Sequence, residues 1–259
     1  MQLYHRYLPA AVPSTKTIII LHGLLGSSDN WLTLAKYLTS DYNVYLLDQR
    51  NHGQSNWADK WDYEAMEQDL LEFLKTQNLQ SIILIGHSMG GKTAMFFASK
   101  NPTYLSHLII VDIAPKYYAP HHQNILDGLN SIKLSAVTSR QEADEVLASY
   151  VFSLDTRQFL LKNLYRNTEG KFAWRINLSL ITNQIEHIGE ALPNDAVFFG
   201  KTLFVRGSKS DYIQIPVDEA LIYTHFPHAQ LATVENAGHW VQAEQPQAFL
   251  LVIKKFLNL

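Results

Sequence analysis

Ser88 lies in a segment whose residue types and spacing are suited to nucleophilic catalysis. An aliphatic run is followed by Gly86-His87-Ser88-Met89-Gly90. A serine at a sharp turn from a strand into a helix is held in strained backbone, so the residues two positions before and after it must lack side chains. Gly86 and Gly90 meet this requirement, and residues 92–98 have the composition of a buried helix. The pattern predicts a serine nucleophile at a helix N-terminus, where the Met89 N–H can bind an oxyanion.

The pattern G-x-S-x-G fixes only three residues and is a weak signal alone. The rest of the chain must therefore supply a base, an acid and a second oxyanion donor. His239 follows the last predicted strand, in a loop beside Gly238, and its imidazole is the predicted general base that takes the serine proton. The segment His22-Gly23-Leu24 follows the first buried strand. Its glycine lets the backbone approach a substrate, and the Leu24 N–H is the predicted second donor.

Two aspartates are candidates for the acid that orients the imidazole. Asp112 ends the strand after the nucleophile helix, and Asp211 follows a later strand in the segment Gly-Ser-Lys-Ser-Asp. Either carboxylate could hold the histidine and stabilise its charged form. Asp112 is favoured because its strand is expected beside the strand of Ser88, and Pro115 stiffens its loop. Asp211 is the alternative acid.

All of these residues follow predicted strands. Continuous β-branched and aliphatic runs predict strands at 17–21, 43–48, 82–85, 108–111, 202–205 and 229–234. Amphipathic segments between them predict helices, so the expected fold class is α/β, a doubly wound and mostly parallel sheet with helices on both faces. In such a sheet the ligand crevice lies outside the carboxyl ends of the strands. The predicted site occupies that edge.

The alternation of strands and helices breaks between residues 116 and 195. Only helix-like segments are visible there, at 141–152, 156–165 and 177–188. We expect residues 116–195 to form a helical cap inserted over the sheet, and residues 1–115 and 196–259 to form the core. Apolar side chains of the cap are expected to close a pocket over Ser88. They are Tyr117, Tyr118, Phe152, Phe159, Leu160 and Trp174.

Length and composition limit the classes of protein. A chain of 259 residues with 47% hydrophobic content can bury one large core. A net charge of −3 favours neither nucleic acid nor an anionic membrane as a partner. The chain has no cysteine, which excludes disulfides and thiolate metal sites. No signal sequence and no apolar run of transmembrane length is visible. We therefore expect a cytoplasmic location and no stable membrane insertion.

The spacing of the histidines and glycines does not favour metal or cofactor chemistry. The spacing of the histidines matches no metal-binding motif, so no metal is expected. The glycines around Ser88 match neither a P-loop nor a dinucleotide fingerprint, so no cofactor is expected.

Five segments together form a more specific set than G-x-S-x-G alone. They are HGLLGS at 22–27, DQRNHGQS at 48–55, GHSMGGK at 86–92, DIAP at 112–115 and AGHWV at 237–241. This set resembles that of YbfF-type esterases, α/β-hydrolases that act on acyl esters and thioesters, over nearly the whole chain and more loosely in 116–195. The resemblance implies Ser88 as nucleophile, His239 as base and Asp112 as acid, with Leu24 and Met89 supplying the oxyanion N–H groups. Many other α/β-hydrolases keep the acid near the position of Asp211.

The expected reaction is hydrolysis of a short to medium acyl ester or thioester, a small-molecule substrate, through an acyl-enzyme. Two alternatives stay open. A perhydrolase or a carbon–carbon hydrolase would use the same triad with a different pocket. A hydrolase-fold ligand receptor would keep the triad but show negligible turnover.

Overall fold

The computed structural model describes residues 1–258. Their strands are β1 (His5–Leu8), β2 (Thr17–Leu21), β3 (Asn43–Leu47), β4 (Ile82–His87), β5 (Leu105–Val111), β6 (Leu164–Arg166), β7 (Phe172–Trp174), β8 (Lys201–Gly207) and β9 (Ala229–Val234). Seven of them form one sheet in the order β1-β3-β2-β4-β5-β8-β9. β1 is antiparallel to β3, and the other neighbouring pairs are parallel. β2 and β4 are buried along their whole length, as expected for strands covered on both faces.

The register of the parallel strands brings the predicted site residues to one edge. Leu21 pairs with Gly86, and His87 pairs with Val111. Val111 also pairs with Val205 on its other side. The residues that follow these strands therefore leave the sheet together at its carboxyl edge.

Helices cover both faces of the sheet. They are α1 (Leu32–Ala35), α2 (Tyr63–Thr76), α3 (Met89–Lys100), α4 (Gln123–Ser131), α5 (Arg140–Ala148), α6 (Leu154–Leu161), α7 (Leu178–Gln184), α8 (Glu219–His225), α9 (Val241–Glu244) and α10 (Pro246–Leu257), with short 3-10 helices at Ser28–Trp31, Pro102–Tyr104 and Ile185–Gly189. Alternate residues of β2 enter different halves of the core, since successive strand side chains point to opposite faces. Ile19 belongs to the half that contains the apolar side of α2 and α3, whereas Ile18 and Ile20 belong to the half that contains α10. The predicted doubly wound, mostly parallel sheet is confirmed.

The 116–195 segment differs from the prediction in two places. α6 ends at Leu161, so the helix predicted at 156–165 is shorter, and β6 and β7 then form an antiparallel hairpin. Its turn closes because the Gly170 N–H donates to the Asn167 carbonyl oxygen at 2.9 Å while Gly170 has a φ of 76°, a conformation that favours glycine. α4 was not predicted at all. The other predicted helices correspond to α5 and to α7 with the 3-10 turn after it.

The two ends of the 116–195 segment lie side by side. The Tyr118 N–H donates to the Gly189 carbonyl oxygen at 2.8 Å. Close by, the Leu192 N–H donates to the Pro115 carbonyl oxygen at 2.9 Å. The chain therefore enters and leaves this segment through two backbone stretches that are hydrogen-bonded to each other.

Lys92 of α3 is buried beneath this pair. Its Nζ donates to the carbonyl oxygen of Lys116 at 2.6 Å and to that of Glu190. Burial lowers the pKa of Lys92 to about 7, because a low-dielectric surrounding disfavours the ammonium form. One side chain of the core thus bonds to the beginning and to the end of the 116–195 segment.

Candidate active site

Ser88 occupies the strained turn that its flanking glycines predicted. Its φ is 53° and its ψ is −118°, and α3 begins at the next residue. A Cβ atom at Gly86 would overlap the carbonyl oxygen of Gly90, and one at Gly90 would lie 2.5 Å from the carbonyl oxygen of Leu21. Neither position has room for a side chain, so these glycines allow the turn to pack against β2.

His239 is hydrogen-bonded to Asp112. The Nδ1–H of His239 donates to Oδ2 of Asp112 at 2.8 Å. This bond leaves Nε2 as the basic nitrogen of the neutral ring. The His239 side chain is 20% exposed and that of Asp112 is fully buried. Since Ser88 and His239 line the same cavity, the predicted nucleophile, base and acid lie in one site.

Asp112, the residue after β5, has a left-handed backbone conformation with a φ of 52°. Aspartate tolerates this conformation better than most residues do. Its Oδ1 accepts a hydrogen bond from the Gly207 N–H at 3.0 Å. Its Oδ2 accepts from the Ser210 hydroxyl as well as from His239. Three donors therefore surround a carboxylate without solvent contact, and these bonds offset the cost of burying its charge.

Asp211, the alternative acid, is exposed. Within residues 1–258 the carboxylate bonded to His239 is that of Asp112. The chain just before Asp211 nevertheless supports Asp112, because the N–H of Gly207, the last residue of β8, and the hydroxyl of Ser210 donate to its carboxylate. The sequence reasoning missed both donors, since a Gly-Ser-Lys-Ser segment is typical of a flexible turn.

Two neighbouring rings orient the His239 imidazole. The Tyr212 ring stacks on it, with the centroids 3.7 Å apart and the planes 16° from parallel. The His87 ring lies 4.8 Å away, and its Nε2–H donates to the His239 carbonyl oxygen at 2.9 Å. The sequence reasoning assigned neither residue to the site. His87 lies inside the G-x-S-x-G segment, which is a signal that could have identified it, whereas no pattern marks Tyr212.

The predicted second oxyanion donor, Leu24, lies in a tight turn over residues 23–26. The Gly26 N–H donates to the Gly23 carbonyl oxygen at 3.0 Å, and Leu25 has a φ of 57°. A Cβ atom at Gly23 would lie 3.2 Å from Cβ of Ser88, so the glycine lets this turn approach the nucleophile. Leu24 and Met89, the two predicted donors, both line a small cleft beside Ser88.

Buried polar side chains hold the 23–26 turn in place. Nε2 of His52 accepts from the Leu25 N–H at 3.2 Å. Asn163, in the 116–195 segment, donates its Nδ2–H to the Leu25 carbonyl oxygen at 2.7 Å. Both polar groups of Leu25 are thereby satisfied, which fixes the backbone that presents the Leu24 N–H. Asn163 was not predicted as a site residue, and its sequence neighbourhood carries no signal for this contact.

Three buried histidines around Ser88 are held neutral. Burial lowers the pKa of His22 to about 4, because it disfavours the charged imidazole. The same cause lowers the pKa values of His52 and His87 to about 3. In the neutral form Nε2 of His52 can accept the Leu25 N–H, and Nε2 of His22 accepts the Gln49 N–H at 3.0 Å. Protonation would remove both acceptors.

These histidines predict a loss of stability in mild acid. Their folded pKa values lie below the ordinary value of 6.5, so below about pH 6.5 the unfolded chain binds protons that the folded chain does not. The free energy of unfolding should therefore fall by roughly 1.4 kcal/mol per histidine per pH unit, down to about pH 4 for His22 and pH 3 for the others. Urea unfolding at a series of pH values measures the slope.

Two variants separate this effect from general acid denaturation. A His52→Gln variant should show a slope smaller by roughly one proton's contribution, about 1.4 kcal/mol per pH unit, whatever its stability at pH 7. His228→Gln, which replaces an exposed histidine, should keep the wild-type slope of the free energy of unfolding against pH. Equal slopes in all three proteins would contradict the prediction.

A cavity of about 650 Å³ opens beside Ser88 and His239. Its apolar walls include Trp31, Ile125, Phe159, Leu160 and Trp240. Of the apolar side chains expected to close the pocket, Phe159 and Leu160 line this cavity and Tyr118 lines the smaller cleft. Tyr117 and Phe152 are exposed instead, and Trp174 packs against the core. The cavity has the size and apolar lining typical of a small-molecule site.

Within residues 1–258, no group of three or more histidine, aspartate or glutamate side chains is arranged to hold a metal ion. Among the helices of these residues, none combines the length and the apolar character needed to cross a bilayer.

Comparison with known proteins identifies the family to which the chain belongs. Residues 16–246 match the family described as alpha/beta hydrolase fold. The chain is 35% identical to "Esterase YbfF" of Escherichia coli (strain K12), over 93% of this chain and 92% of that protein. It is 38% identical to "sn-1-specific diacylglycerol lipase ABHD11" of Mus musculus, over 93% of this chain and 80% of that protein.

Solved structures give the same result. The structure of a "Marine microorganism esterase" superposes with a TM-score of 0.94 at 41% identity, and the match covers 98% of this chain and 99% of that chain. The chain therefore belongs to the alpha/beta hydrolase fold family, among its carboxylic ester hydrolases.

Proposed function

We propose that this protein hydrolyses short to medium acyl esters or thioesters through an acyl-enzyme on Ser88. His239 is the general base, Asp112 is the acid that orients it, and the N–H groups of Leu24 and Met89 stabilise the oxyanion. In this proposal residues 116–195 form the cap, and residues 1–115 and 196–259 form the core. The observation that carries it is the bond from His239 Nδ1 to the buried Asp112 carboxylate, beside the cavity that Ser88 also lines.

The first half of the reaction transfers the acyl group to the protein. Oγ of Ser88 attacks the carbonyl carbon while its proton moves to Nε2 of His239. The negative charge that develops on the carbonyl oxygen is stabilised by the two N–H groups. The bond from the carbonyl carbon to the leaving oxygen or sulfur then breaks, and the Nε2 proton passes to that leaving atom. The products of this half are an alcohol or thiol and the acyl-enzyme.

The second half returns the protein to its starting state. A water molecule gives a proton to Nε2 and attacks the acyl carbon, and collapse of the second tetrahedral intermediate releases a carboxylic acid and restores the Ser88 hydroxyl. Three donors hold the Asp112 carboxylate in place, and this carboxylate stabilises the imidazolium that forms twice in each cycle. The stacked Tyr212 ring keeps the imidazole plane aligned during both transfers.

Fluorophosphonate labelling together with steady-state turnover tests this function. We expect a single covalent adduct, mapped by mass spectrometry to the peptide that contains Ser88, and a loss of p-nitrophenyl acetate hydrolysis in proportion to the adduct. A His239→Ala variant should label far more slowly, because Ser88 then lacks its base. Turnover that persists after complete labelling, or an adduct on another residue, would contradict the proposed nucleophile.

The same labelling, combined with other substrates, separates the alternative functions. A hydrolase-fold receptor would be labelled without appreciable turnover of any ester. A perhydrolase would produce a peracid from an ester when hydrogen peroxide is present, and a carbon–carbon hydrolase would cleave a diketone in preference to an ester. A peracid or a cleaved diketone identifies the alternative enzymes, and labelling without turnover identifies the receptor.

A further inference from the structure

Two cavities of very different size meet at Ser88. The larger, of about 650 Å³, is also lined by His239 and Trp240. The smaller, of about 30 Å³, is also lined by Met89 and by neither of those two residues. The residues that line both are Leu24, Ser88, His121, His122 and Tyr212. A substrate bound at Ser88 therefore has two distinct directions in which to extend.

The geometry of acyl transfer decides which part of the substrate takes which direction. In the tetrahedral intermediate, the carbon bonded to Ser88 Oγ carries an oxyanion, a leaving group and the acyl chain. The leaving atom must lie at the imidazole that protonates it, and that ring, His239, lines only the larger cavity. The acyl chain takes the remaining direction, into the cleft that Met89 lines and His239 does not.

The smaller cleft is narrow and mainly apolar, and its lining also includes His121 and His122. Ile113, Ile185 and Ile188 contribute to its wall. One water-sized group needs a cavity volume of about 10–15 Å³, so a cleft of about 30 Å³ has room for about two such groups. The space corresponds to an acyl chain with one or two carbons beyond the carbonyl.

Hydrogen bonds prevent this wall from expanding easily. The Tyr63 hydroxyl donates to the Ile188 carbonyl oxygen at 2.7 Å. The next residue, Gly189, accepts from the Tyr118 N–H at 2.8 Å and lies so close to that residue that a Cβ atom there would overlap the Tyr118 carbonyl oxygen. A close-packed and bonded wall of this kind yields to a larger group only at a cost in free energy.

We propose that the smaller cleft is the acyl site, that it selects acetyl and propionyl groups, and that the larger cavity receives a bulky apolar alcohol or thiol. This inference rests on the proposed function. It assigns the large apolar surface of Phe159, Leu160 and Trp240 to the leaving group and not to the acyl chain. The preferred substrates are therefore acetate or propionate esters of large alcohols, or the matching thioesters.

Two series of esters test the assignment. With a p-nitrophenyl leaving group, kcat/KM should fall from acetyl to hexanoyl, by roughly tenfold or more for a methylene that the cleft cannot accept. With an acetyl group, kcat/KM should rise from ethyl to hexyl acetate by up to about fourfold per methylene buried in the larger cavity. If the wild-type protein hydrolyses hexanoyl esters with a kcat/KM equal to that for acetyl esters, the inference is wrong.

Matched variants locate the two sites. Ile188→Ala, in the wall of the smaller cleft, should raise the hexanoyl-to-acetyl ratio of kcat/KM, and Ile185→Ala serves the same purpose if the first variant folds poorly. Phe159→Ala, in the larger cavity, should reduce the advantage of hexyl over ethyl acetate and keep the acyl ranking. If Phe159→Ala changes the acyl ranking and the isoleucine variants do not, the assignment is reversed.

The failure of this inference differs from the failure of the proposed function. If Ser88 is labelled by fluorophosphonate and long acyl chains are preferred, only the assignment of the two cavities is wrong. If no ester is hydrolysed and Ser88 is not labelled, the proposed function is wrong and this inference falls with it.

Discussion

Replacing Ser88 with alanine is expected to lower kcat for ester hydrolysis by about 10⁴-fold or more, the range for loss of a triad nucleophile. Alanine keeps the Cβ atom and the backbone of the turn, whose φ of 53° is already held by the packing of Gly86 and Gly90. The fold should therefore survive while the attacking oxygen is lost. Initial rates with p-nitrophenyl acetate, together with circular dichroism and thermal unfolding of the same preparation, measure both properties.

A second serine provides the control. Ser106 lies near the start of β5, where its hydroxyl donates to the Ile82 carbonyl oxygen at 3.0 Å, at the edge of the sheet opposite to Ser88. Ser106→Ala should keep nearly all of the activity. If folded Ser88→Ala protein keeps more than about a tenth of the wild-type kcat, Ser88 is not the nucleophile.

Replacing Asp112 with asparagine is expected to lower kcat by about 10⁴-fold. The carboxylate accepts the Nδ1–H of His239 at 2.8 Å, which keeps Nε2 free to take the Ser88 proton. An asparagine that presents its amide N–H to Nδ1 would favour the tautomer with the proton on Nε2, and that ring cannot act as the base. Steady-state kinetics on folded protein measure the loss.

Asp211→Asn is the matched control for Asp112→Asn. Asp211 is exposed, and an exposed carboxylate away from the histidine should have only a small effect, within about twofold in kcat. Both changes remove one negative charge near the same loop, so the net charge is the same in the two variants. A larger loss for Asp211→Asn than for Asp112→Asn would transfer the role of the acid to Asp211.

The positions of Ser88 and Asp112 could be predicted because each directly follows an aliphatic run, and these runs form β4 and β5, which are buried where they end. His239 could be predicted because it lies in the loop after the last strand, β9, and parallel strands bring their carboxyl ends to one edge. The fold class followed from the same runs. The glycine spacing around Ser88 could also be interpreted physically, since the structure leaves no room for a side chain at Gly86 or Gly90.

The choice between Asp112 and Asp211 could not be made from local pattern alone. Both residues follow strands, and β5 and β8 are neighbours in the sheet, so both lie near the same place. What differs is the course of the 207–211 loop, which turns Ser210 towards Asp112 and leaves Asp211 in solvent. Such a turn depends on tertiary contacts that a five-residue segment does not encode.

Short elements were missed for a related reason. β6 and β7 have three residues each, which is too few for a periodicity of two to become visible. β1 is an edge strand with partly exposed residues, so it lacks the apolar run that marked the buried strands. Asn163 could not be predicted either, because its contact with Leu25 joins residues that are far apart in the chain.

The hydrogen-bonded pair at the base of the 116–195 segment has a consequence for modularity. The Leu192 N–H and the Pro115 carbonyl oxygen are hydrogen-bonded, so a segment exchanged between these two residues would begin and end at neighbouring points of the chain. A transplanted segment would also have to offer two backbone carbonyls to Lys92, as Lys116 and Glu190 do, because an ammonium buried without acceptors is costly. A foreign segment would also have to replace the bonds of Asn163 to Leu25 and of Ile188 to Tyr63, and a chimera should change Lys92 together with the segment wherever the two carbonyls are missing.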